Sequence, residues 1–373
     1  FSVFNTRAIN NIQLIKGGFP AQYGGRLSSI LDINMKEGNK KRFGVEGGIG
    51  LVSTQLTVEG PLSKNKASFI LSGRRTYFDY LIKPVLPGNI NTNYAFYDIN
   101  AKLNWELNQN NQLFLSFFKG SDDADYSQDG ISYNIFLGNQ ALTLRWKHIF
   151  GPKLFFNTSL VKNKYEQDIA ALQDNINSNV VSSIEDLSAK FELQYYPNIK
   201  HKIRIGGIFL DHTFRSSGDS RIQSLSDQNT TIPVDSIPEK RFDELNFYIN
   251  DEIKLSNSIS ANAGLRLPIF LSDDVNYFRL EPRVSLQYQT NSSTSIKASY
   301  AAMNQFIHLI PSSTAAVPTD IWVPSTKQTT PQYSQQYSFG LYKNFKNNHW
   351  ESSLEIYYKT MDHQILFEEG NQL

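Results

Sequence analysis

The sequence predicts an all-β protein, an antiparallel up-and-down β-barrel that crosses a membrane with about 14 strands. Three observations predict it. Apolar and polar side chains alternate, short and long connections follow each other in turn, and many segments are about 10–14 residues long. A tilted strand needs about 9–11 residues to cross the hydrocarbon, whereas strands of soluble proteins have about 5–6. We therefore favour the barrel over a soluble sandwich of two packed sheets.

The alternation begins near residue 43. Successive side chains of a strand lie on opposite faces, so each segment has one apolar and one polar face. We expect the apolar face to contact lipid and the polar face to line the lumen. The side chains assigned to lipid are Leu103, Trp105, Leu265, Leu286 and Leu354, and those assigned to the lumen are Lys102, Asn104, Arg266, Arg283 and Glu355. The alternating segments lie at 43–59, 66–77, 97–107, 112–119, 140–150, 153–166, 185–196, 201–214, 242–255, 258–270, 278–290, 294–302, 332–345 and 349–361.

The connections between these segments sort by length. Residues that favour turns form the short ones, which lie at 108–111, 151–152, 197–198, 256–257, 291–292 and 346–348. Longer stretches lie between them, at 78–96, 120–139, 167–184, 215–241 and 303–331, and only 271–277 is short where a long one is expected. Bacterial outer-membrane barrels have short periplasmic turns and long outer loops. We therefore expect all the short turns at one end of the barrel.

The composition excludes several classes. The chain has 373 residues, a formal net charge of +1 and no cysteine. The charge does not indicate nucleic-acid binding, and the lack of cysteine excludes disulfides, thiolate metal sites and a cysteine nucleophile. No run of about 20 apolar residues predicts a transmembrane helix. Aromatic residues are frequent, with 19 Tyr and 25 Phe in an otherwise polar sequence.

Residues 1–40 do not continue the alternation. They predict a short helix or turn after Asn5-Thr6, a strand that ends at Ile15, a glycine-rich loop, and a strand through Met35. A phosphate-binding loop does not fit, because no Gly-Lys-Ser/Thr follows and no helix begins after Gly25.

Several segments resemble, in their order along the chain, the end of the plug domain and the barrel of TonB-dependent receptors of the Bacteroidetes branch. They are Lys16-Gly17, Tyr23-Gly24-Gly25, the strand Ser29–Met35, a first periplasmic turn at Glu59–Leu62, and the barrel segments Glu281–Ser285 and Trp322–Ser325.

The resemblance implies a domain division and a location. Residues 1–40 would be the C-terminal part of a plug in the lumen, and residues 41–373 an incomplete barrel of the family's 22-stranded type. The protein would lie in the outer membrane of a Gram-negative bacterium. We expect Lys16, Tyr23, Arg26, Asp32 and Lys36 to contact the barrel.

The resemblance also implies energy-coupled import of a siderophore, metal complex, vitamin, peptide or glycan. The TonB complex would act through a segment outside these 373 residues, and a surface lipoprotein or other outer-membrane subunits are further candidate partners. The alternative is a barrel that does not transport and serves as a docking subunit of an outer-membrane complex. We expect no catalytic residues, no cofactor and no nucleic acid.

Aromatic residues near the ends of the predicted strands have two interpretations: an interfacial girdle or capture of a substrate. The candidates for substrate binding are Tyr94, Phe96, Tyr97, Tyr126 and Tyr133. The long segment 303–331 adds His308 and Trp322. Its apolar residues are too many for a loop that extends into water, so they could pack on neighbouring loops, fold inward over the plug or hold a partner protein. We favour inward folding, because Pro311, Pro318 and Pro324 prevent the barrel strands from extending through the segment.

Metal binding has weak support. Asp122, Asp123, Asp125 and Asp129-Gly130 lie in a predicted outer loop, where carboxylates at alternate positions could bind calcium or simply be solvated, and no glutamate completes an EF-hand loop. The six histidines are scattered along the sequence, so no cluster predicts a metal site.

Overall fold

The structure is a computed structural model and is nearly all β. It describes residues 5–88, 90–173, 176–222, 230–310, 321–345 and 349–365. The side chains of residues 78, 173–178, 216–238 and 321 lie outside the description. No helix among the described residues is long and apolar enough to cross a membrane.

The first described residues form a small unit of their own. A 3-10 turn at Thr6–Ala8 leads into β1 (Ile9–Ile15), and β1 pairs with β2 (Ile30–Met35) as an antiparallel hairpin. The order of turn, strand, glycine-rich loop and strand agrees with the sequence prediction. We call residues 5–37 the N-terminal segment.

One large antiparallel sheet accounts for most of the remaining chain and contains 16 strands among the described residues. Its first strands are β3 (Gly44–Ile49), β4 (Ser53–Ser63), β5 (Ala67–Thr76), β6 (Ile90–Asn108), β7 (Asn111–Gln128), β8 (Ile131–Gly151), β9 (Leu154–Gln173) and β10 (Ile176–Asn198). It continues with β11 (His201–Ile222), β12 (Thr230–Lys254), β13 (Ile259–Ser272), β14 (Asn276–Phe278), β15 (Glu281–Asn291) and β16 (Thr294–Gln305). A separate hairpin of β17 (Ile307–Ile310) and β18 (Ile321–Pro324) follows, and β19 (Gln332–Phe345) and β20 (Trp350–Asp362) complete the sheet.

The strands follow each other as a meander. Each strand from β3 to β13 pairs with its sequence neighbour; β13 then pairs with β15, β16 with β19 and β19 with β20. Because every pairing is antiparallel, alternate connections fall at the same end. The short turns after β6, β8, β10, β12 and β15 therefore share one end, as predicted. The predicted turn at 346–348 lies outside the described residues.

The two faces of the sheet differ as the alternation predicts. All five leucine and tryptophan side chains assigned to lipid are exposed, from 40% for Leu265 to 61% for Leu354. On the other face Lys102, Asn104, Arg266 and Arg283 are buried. Glu355 is exposed but shares its strand face with Lys359, which donates to a carbonyl oxygen of the N-terminal segment. We call this polar face the inner face.

The sheet curves around the N-terminal segment. Asn5 Nδ2 donates to Ser72 Oγ of β5 at 2.9 Å, and Gln336 Nε2 of β19 donates to the carbonyl oxygen of Lys16 at 2.9 Å. Strands near both ends of the sheet order therefore contact the same short segment. A flat sheet of this width could not make both contacts, because neighbouring strands lie about 4.8 Å apart.

The predicted long outer loops are largely wrong. At 120–139 and 167–184 the strands continue outward, and the hairpin at 120–139 closes in the two-residue turn Asp129-Gly130, where both residues have positive φ. Much of 215–241 also belongs to paired strands. On β7 the extension is largely polar on both faces, and on β8 the apolar side chains Ile131, Tyr133, Ile135 and Leu137 take inner-face positions. The outward apolar row on which the prediction depended therefore does not continue. Only 78–96 begins with helix, at α1 (Phe78–Ile82) and a 3-10 turn at Lys83–Val85.

Two boundaries near the start of the sheet are also wrong. The single strand predicted over 43–59 is two strands, β3 and β4, and β4 continues through the turn predicted at Glu59–Leu62. The chain reverses at Lys64–Lys66 instead, where Asn65 adopts a φ of 64°. Asparagine tolerates the left-handed region better than most residues, which favours the turn there.

Candidate functional site

Two arginines of the inner face bind the backbone of the turn Pro20–Tyr23. Arg283 Nη1 donates to the carbonyl oxygen of Pro20 at 2.8 Å and also to that of Tyr23. Arg266 Nη1 donates at 3.3 Å to the carbonyl oxygens of the two residues between them. Both arginines point inward because each occupies an inner-face position of its strand. Arg266 of β13 lies opposite Glu281 of β15, and Arg283 is two positions further along β15.

A glutamate balances these buried charges. Glu281 is completely buried and accepts from Arg283 Nη2 at 2.7 Å, and its other oxygen accepts from the backbone amide of Asn304 at 2.7 Å. Arg266 Nε lies 3.8 Å from the same carboxylate. Buried charges are costly unless they are paired and hydrogen-bonded, so the three side chains stabilise one another. We call Arg266, Glu281 and Arg283 the arginine–glutamate cluster.

Other side chains of the inner face also bind backbone groups of the N-terminal segment. Asn250 Oδ1 accepts from the amide of Ala21 at 3.1 Å, and Lys102 Nζ donates to the carbonyl oxygen of Met35 at 3.3 Å. Lys359 donates to the carbonyl oxygen of Leu27. The sheet thus contacts the main chain of the segment at many points between Lys16 and Met35.

The structure places the five predicted contact residues of the N-terminal segment in different roles. Lys16 and Tyr23 contact the sheet through their carbonyl oxygens. The Tyr23 hydroxyl donates to Asp32 Oδ2 at 2.9 Å within the segment, and the amide of Lys36 donates to the carbonyl oxygen of Ala8. The side chain of Arg26 extends toward another element, since its guanidinium lies over a ring of the β17–β18 hairpin.

Sequence reasoning missed two contacts near the start of the segment. Arg7 forms an ion pair with Glu46 of β3, and Asn5 is almost completely buried against Ser72. It also missed Asn250, Gln336 and Lys359. The signal in the sequence that could have identified these sheet residues is a polar side chain at an inner-face position of a strand.

A row of aromatic rings joins the sheet to the β17–β18 hairpin. Phe214, Phe242 and Phe270 lie on neighbouring strands with centroids 5.2 and 4.8 Å apart, and Phe306 stacks on Phe270 at 5.3 Å. These four buried side chains, with Ile307, form a hydrophobic cluster against which Trp322 packs. We call the four rings the phenylalanine cluster. It fixes the base of the hairpin against β11–β13.

The hairpin therefore folds inward, as predicted. His308 is completely buried and its Nε2 lies 2.8 Å from Ser325 Oγ. Trp322 lies opposite Leu309 in the hairpin register, and the Arg26 guanidinium lies 5.4 Å from the centroid of its ring. Of the prolines expected to prevent strand extension, Pro324 ends β18, while Pro311 and Pro318 lie outside the described residues.

The other predicted substrate-binding aromatics form a second group, on β6–β8. Phe96 is buried beside Arg74 on the inner face, and Tyr94 donates to Asp122 on the same face. Tyr97 lies on the opposite face because it is one position away. Tyr126 and Tyr133 stack with centroids 6.4 Å apart near the end of their hairpin. This group lies on β6–β8, whereas His308 and Trp322 lie on β17–β18.

Three groups outside the sheet have shifted pKa values. Burial and the neighbouring Asp32 carboxylate raise the pKa of Tyr23 to about 12. Burial lowers the pKa of His308 to about 4, and the positive charge of Arg26 lowers it further. The pKa of Arg26 is lowered by desolvation, which the carboxylates of Glu244 and Asp186 oppose.

The carboxylates considered for calcium do not form a loop. Asp122, Asp123 and Asp125 lie within β7, and Asp122 is on the opposite face from the other two. Across the described part of the chain, no group of three His, Cys, Asp or Glu side chains is arranged to hold a metal ion. The prediction of an outer loop at this place is therefore wrong, since the backbone is paired on both sides.

Solved structures share this architecture at low sequence identity. The copper transporter OprC superposes with a TM-score of 0.71 at 12% identity, covering 95% of this chain and 59% of that one. The pyoverdine outer membrane receptor FpvA from Pseudomonas aeruginosa gives 0.72 at 14%, covering 96% and 60%. BauA, the ferric preacinetobactin receptor from Acinetobacter baumannii, gives 0.67 at 12%, covering 93% and 59%. These identities support a shared fold, and the chain spans about three-fifths of the length of these proteins.

Sequence comparison supports the same assignment. No curated protein sequence matches significantly. The family model described as "TonB dependent receptor-like, beta-barrel" matches residues 42–372. That match covers nearly the whole large sheet and begins just after the N-terminal segment. The chain therefore belongs to the TonB-dependent receptor-like β-barrel family and is an outer-membrane protein of a Gram-negative bacterium.

Proposed function

We propose that the complete protein imports a substrate across the outer membrane and draws its energy from the TonB complex through a segment upstream of Phe1. The observation that carries the proposal is the N-terminal segment on the inner face of the sheet, bound there through its backbone. In this proposal residues 1–40 are the C-terminal part of a plug and residues 41–373 belong to the barrel. Import then needs no catalytic side chain.

The contacts at this interface suit a plug that moves. Most of them are hydrogen bonds from a polar side chain to one or two carbonyl oxygens. When such a bond breaks, water can replace the lost partner, so the net cost is only about 0.5–1.5 kcal/mol for a neutral bond and about 1.5–3 kcal/mol for a charged one. Displacement can therefore proceed one contact at a time.

The substrate class is a further part of the proposal. OprC is named as a copper transporter, and FpvA and BauA as receptors for pyoverdine and ferric preacinetobactin. We propose a metal ion or metal chelate as the first class to test, with vitamins, peptides and glycans as the others. Tyr94, Phe96, Tyr126 and Tyr133 form one candidate contact group, and His308 and Trp322 form another.

A disulfide tether tests whether the segment must move. A Cβ added at Gly17 would lie 3.3 Å from Ser338 Cβ, close to the separation in a disulfide. These 373 residues contain no cysteine, so Gly17→Cys and Ser338→Cys introduce the only thiols within them. The full-length protein is expressed in a Gram-negative host without receptors for the probes, and the cells receive labelled ferric chelates, copper, cobalamin, peptides and oligosaccharides.

We expect one probe to accumulate, and to stop accumulating when TonB is deleted or a protonophore is added. The oxidised double variant should lose this uptake, a reductant should restore it, and each single cysteine variant should keep it. Uptake that continues without TonB would contradict energy coupling. Uptake that continues in the oxidised double variant would contradict movement of this part of the segment. Surface delivery with no uptake of any probe would favour the docking-subunit alternative.

A further inference from the structure

The β17–β18 hairpin is attached to the sheet at its base. Phe306 and Ile307 are 1% and 5% exposed, and Phe306 stacks on Phe270 of β13. The amide of Ser325 donates to the carbonyl oxygen of Phe306 at 2.7 Å, which closes the two arms at this end. Burying a phenylalanine side chain contributes about 1.5–3 kcal/mol, so the base is the stable part of the hairpin.

The second arm contacts the N-terminal segment instead. Trp322 is only partly buried by the phenylalanine cluster, and Arg26 lies 5.4 Å from its ring centroid. This distance is within the range of a cation–π contact, which is strongest for tryptophan. Among the described residues, this is the cation–π pair that joins the hairpin to the N-terminal segment.

Arg26 is also subject to charges of the sheet. The carboxylates of Glu244 on β12 and Asp186 on β10 favour its charged form. Both carboxylates flank His212, whose Nδ1 lies 2.6 Å from Asp186 Oδ1 and whose Nε2 lies 3.7 Å from Glu244 Oε1. These groups favour a position of Arg26 between the sheet and the hairpin.

The turn that precedes Arg26 is fixed by the arginine–glutamate cluster. The backbone of Pro20–Tyr23 is bound to Arg266 and Arg283, and Leu27 is bound through its carbonyl oxygen to Lys359. Arg26 therefore keeps its place only while these bonds hold the segment on the sheet. If the segment leaves, its cation leaves the face of Trp322 as well.

We propose that Arg26 and Trp322 couple the N-terminal segment to the β17–β18 hairpin, so that displacement of the segment loosens the hairpin and opening of the hairpin loosens the segment. Arg26 is a positioning residue in this device, and the hairpin acts as a strap over the segment. The inference rests on the proposed function for one point only, namely that the N-terminal segment is the part of the protein that is displaced. Its test measures backbone opening and needs no substrate.

The experiment is hydrogen exchange, followed by mass spectrometry, on the full-length protein in outer-membrane lipid vesicles. Peptides are read in two places, at β17–β18 and at residues 22–27. Coupling free energies are reciprocal. We therefore expect Arg26→Gln to speed exchange in the hairpin, and Trp322→Leu to speed exchange at residues 22–27. Each change should be about three- to tenfold, the range that a cation–π contact supports.

Matched variants separate coupling from local damage. Trp322→Phe keeps an aromatic face and should restore most of the protection at residues 22–27. Arg279→Gln removes a similar cation–π contact, to Tyr277 at 5.3 Å, but has no link to the segment, so it should leave residues 22–27 unchanged. The double variant Arg26→Gln with Trp322→Leu should be no more dynamic in either place than the more affected single variant.

The opposite results would overturn the inference. If each substitution speeds exchange only in the element that carries it, the contact is local packing and no coupling exists. Additive effects in the double variant would lead to the same conclusion. If Arg26→Gln fails to fold, Trp322→Leu and its phenylalanine control still decide the question from the hairpin side. None of these readings depends on uptake, so this inference and the proposed import function can fail separately.

Discussion

Arg283 Nη1 donates a 2.8 Å hydrogen bond to the carbonyl oxygen of Pro20, 263 positions earlier in the chain. The bond joins β15 of the large sheet to a turn of the N-terminal segment. The acceptor belongs to the main chain, so the identity of the side chain at the turn matters less than its backbone shape. Arg283 and its partner Glu281 are therefore the points where substitutions should have the largest effects.

Arg283→Leu should destabilise the protein by about 3–5 kcal/mol, because it leaves the buried Glu281 carboxylate without its closest cation and removes two bonds to the turn. Urea unfolding in detergent or lipid measures the change. Arg279→Leu is the control, since Arg279 is half-buried, donates to the neighbouring Phe278 carbonyl oxygen and lies over the Tyr277 ring, outside the arginine–glutamate cluster. Equal losses for the two variants would contradict the role of the buried cluster.

Leu286→Arg and Gln287→Arg form a matched pair that tests the facing of the sheet. Leu286 is exposed on the apolar face, whereas the Gln287 side chain is on the inner face, and both residues border a cavity of about 1670 Å³. An arginine that faces the middle of the membrane costs about 2–4 kcal/mol, and one that faces water in the lumen costs much less. Refolding into lipid vesicles gives both values. A larger cost for Gln287→Arg would reverse the assignment of the faces.

Gly24→Ala should disturb the arginine–glutamate cluster by steric conflict. A Cβ at this position would lie 2.4 Å from Arg266 Nε and 2.8 Å from its Cζ, so the guanidinium would have to move. Overpacking of this kind costs about 1–3 kcal/mol. Gly88→Ala is the control because a Cβ there meets nothing within 4 Å. An unfolding free energy unchanged by Gly24→Ala would show that Arg266 can relax without loss.

The sequence predicted the inner and outer faces well because period two follows directly from strand geometry. Lys102, Arg266 and Arg283 lie on the predicted face and are buried there. It failed at 120–139, where β7 is largely polar on both faces and the apolar side chains of β8, such as Ile135 and Leu137, lie on the inner face. Backbone pairing continues through this hairpin, but the outward apolar row that marked the other strands is absent.

The contacts of the candidate site were harder to predict for a different reason. Every residue of the N-terminal segment offers a carbonyl oxygen, so nothing in the sequence selects those of Pro20 and Tyr23 as acceptors for Arg283. The charged side chains Lys16 and Lys36 looked like better candidates, yet both contribute main-chain bonds. The hairpin was predictable because its apolar residues needed a partner, and the phenylalanine cluster provides one.

The docking of the hairpin should depend on pH through His308. Its pKa is about 4 in the folded protein against an ordinary value of 6.5, because it is buried and lies near Arg26. A histidine with a lowered folded pKa binds fewer protons in the docked state, so docking weakens as the pH falls from about 6.5 toward about 4. At pH 5 the loss should be about 2 kcal/mol relative to pH 7.5.

Hydrogen exchange at β17–β18, corrected for the intrinsic pH dependence of amide exchange, measures this loss of docking free energy. His308→Gln can keep a hydrogen bond to Ser325 without titrating, so it should abolish the pH dependence; an unchanged pH dependence in that variant would assign it to another group.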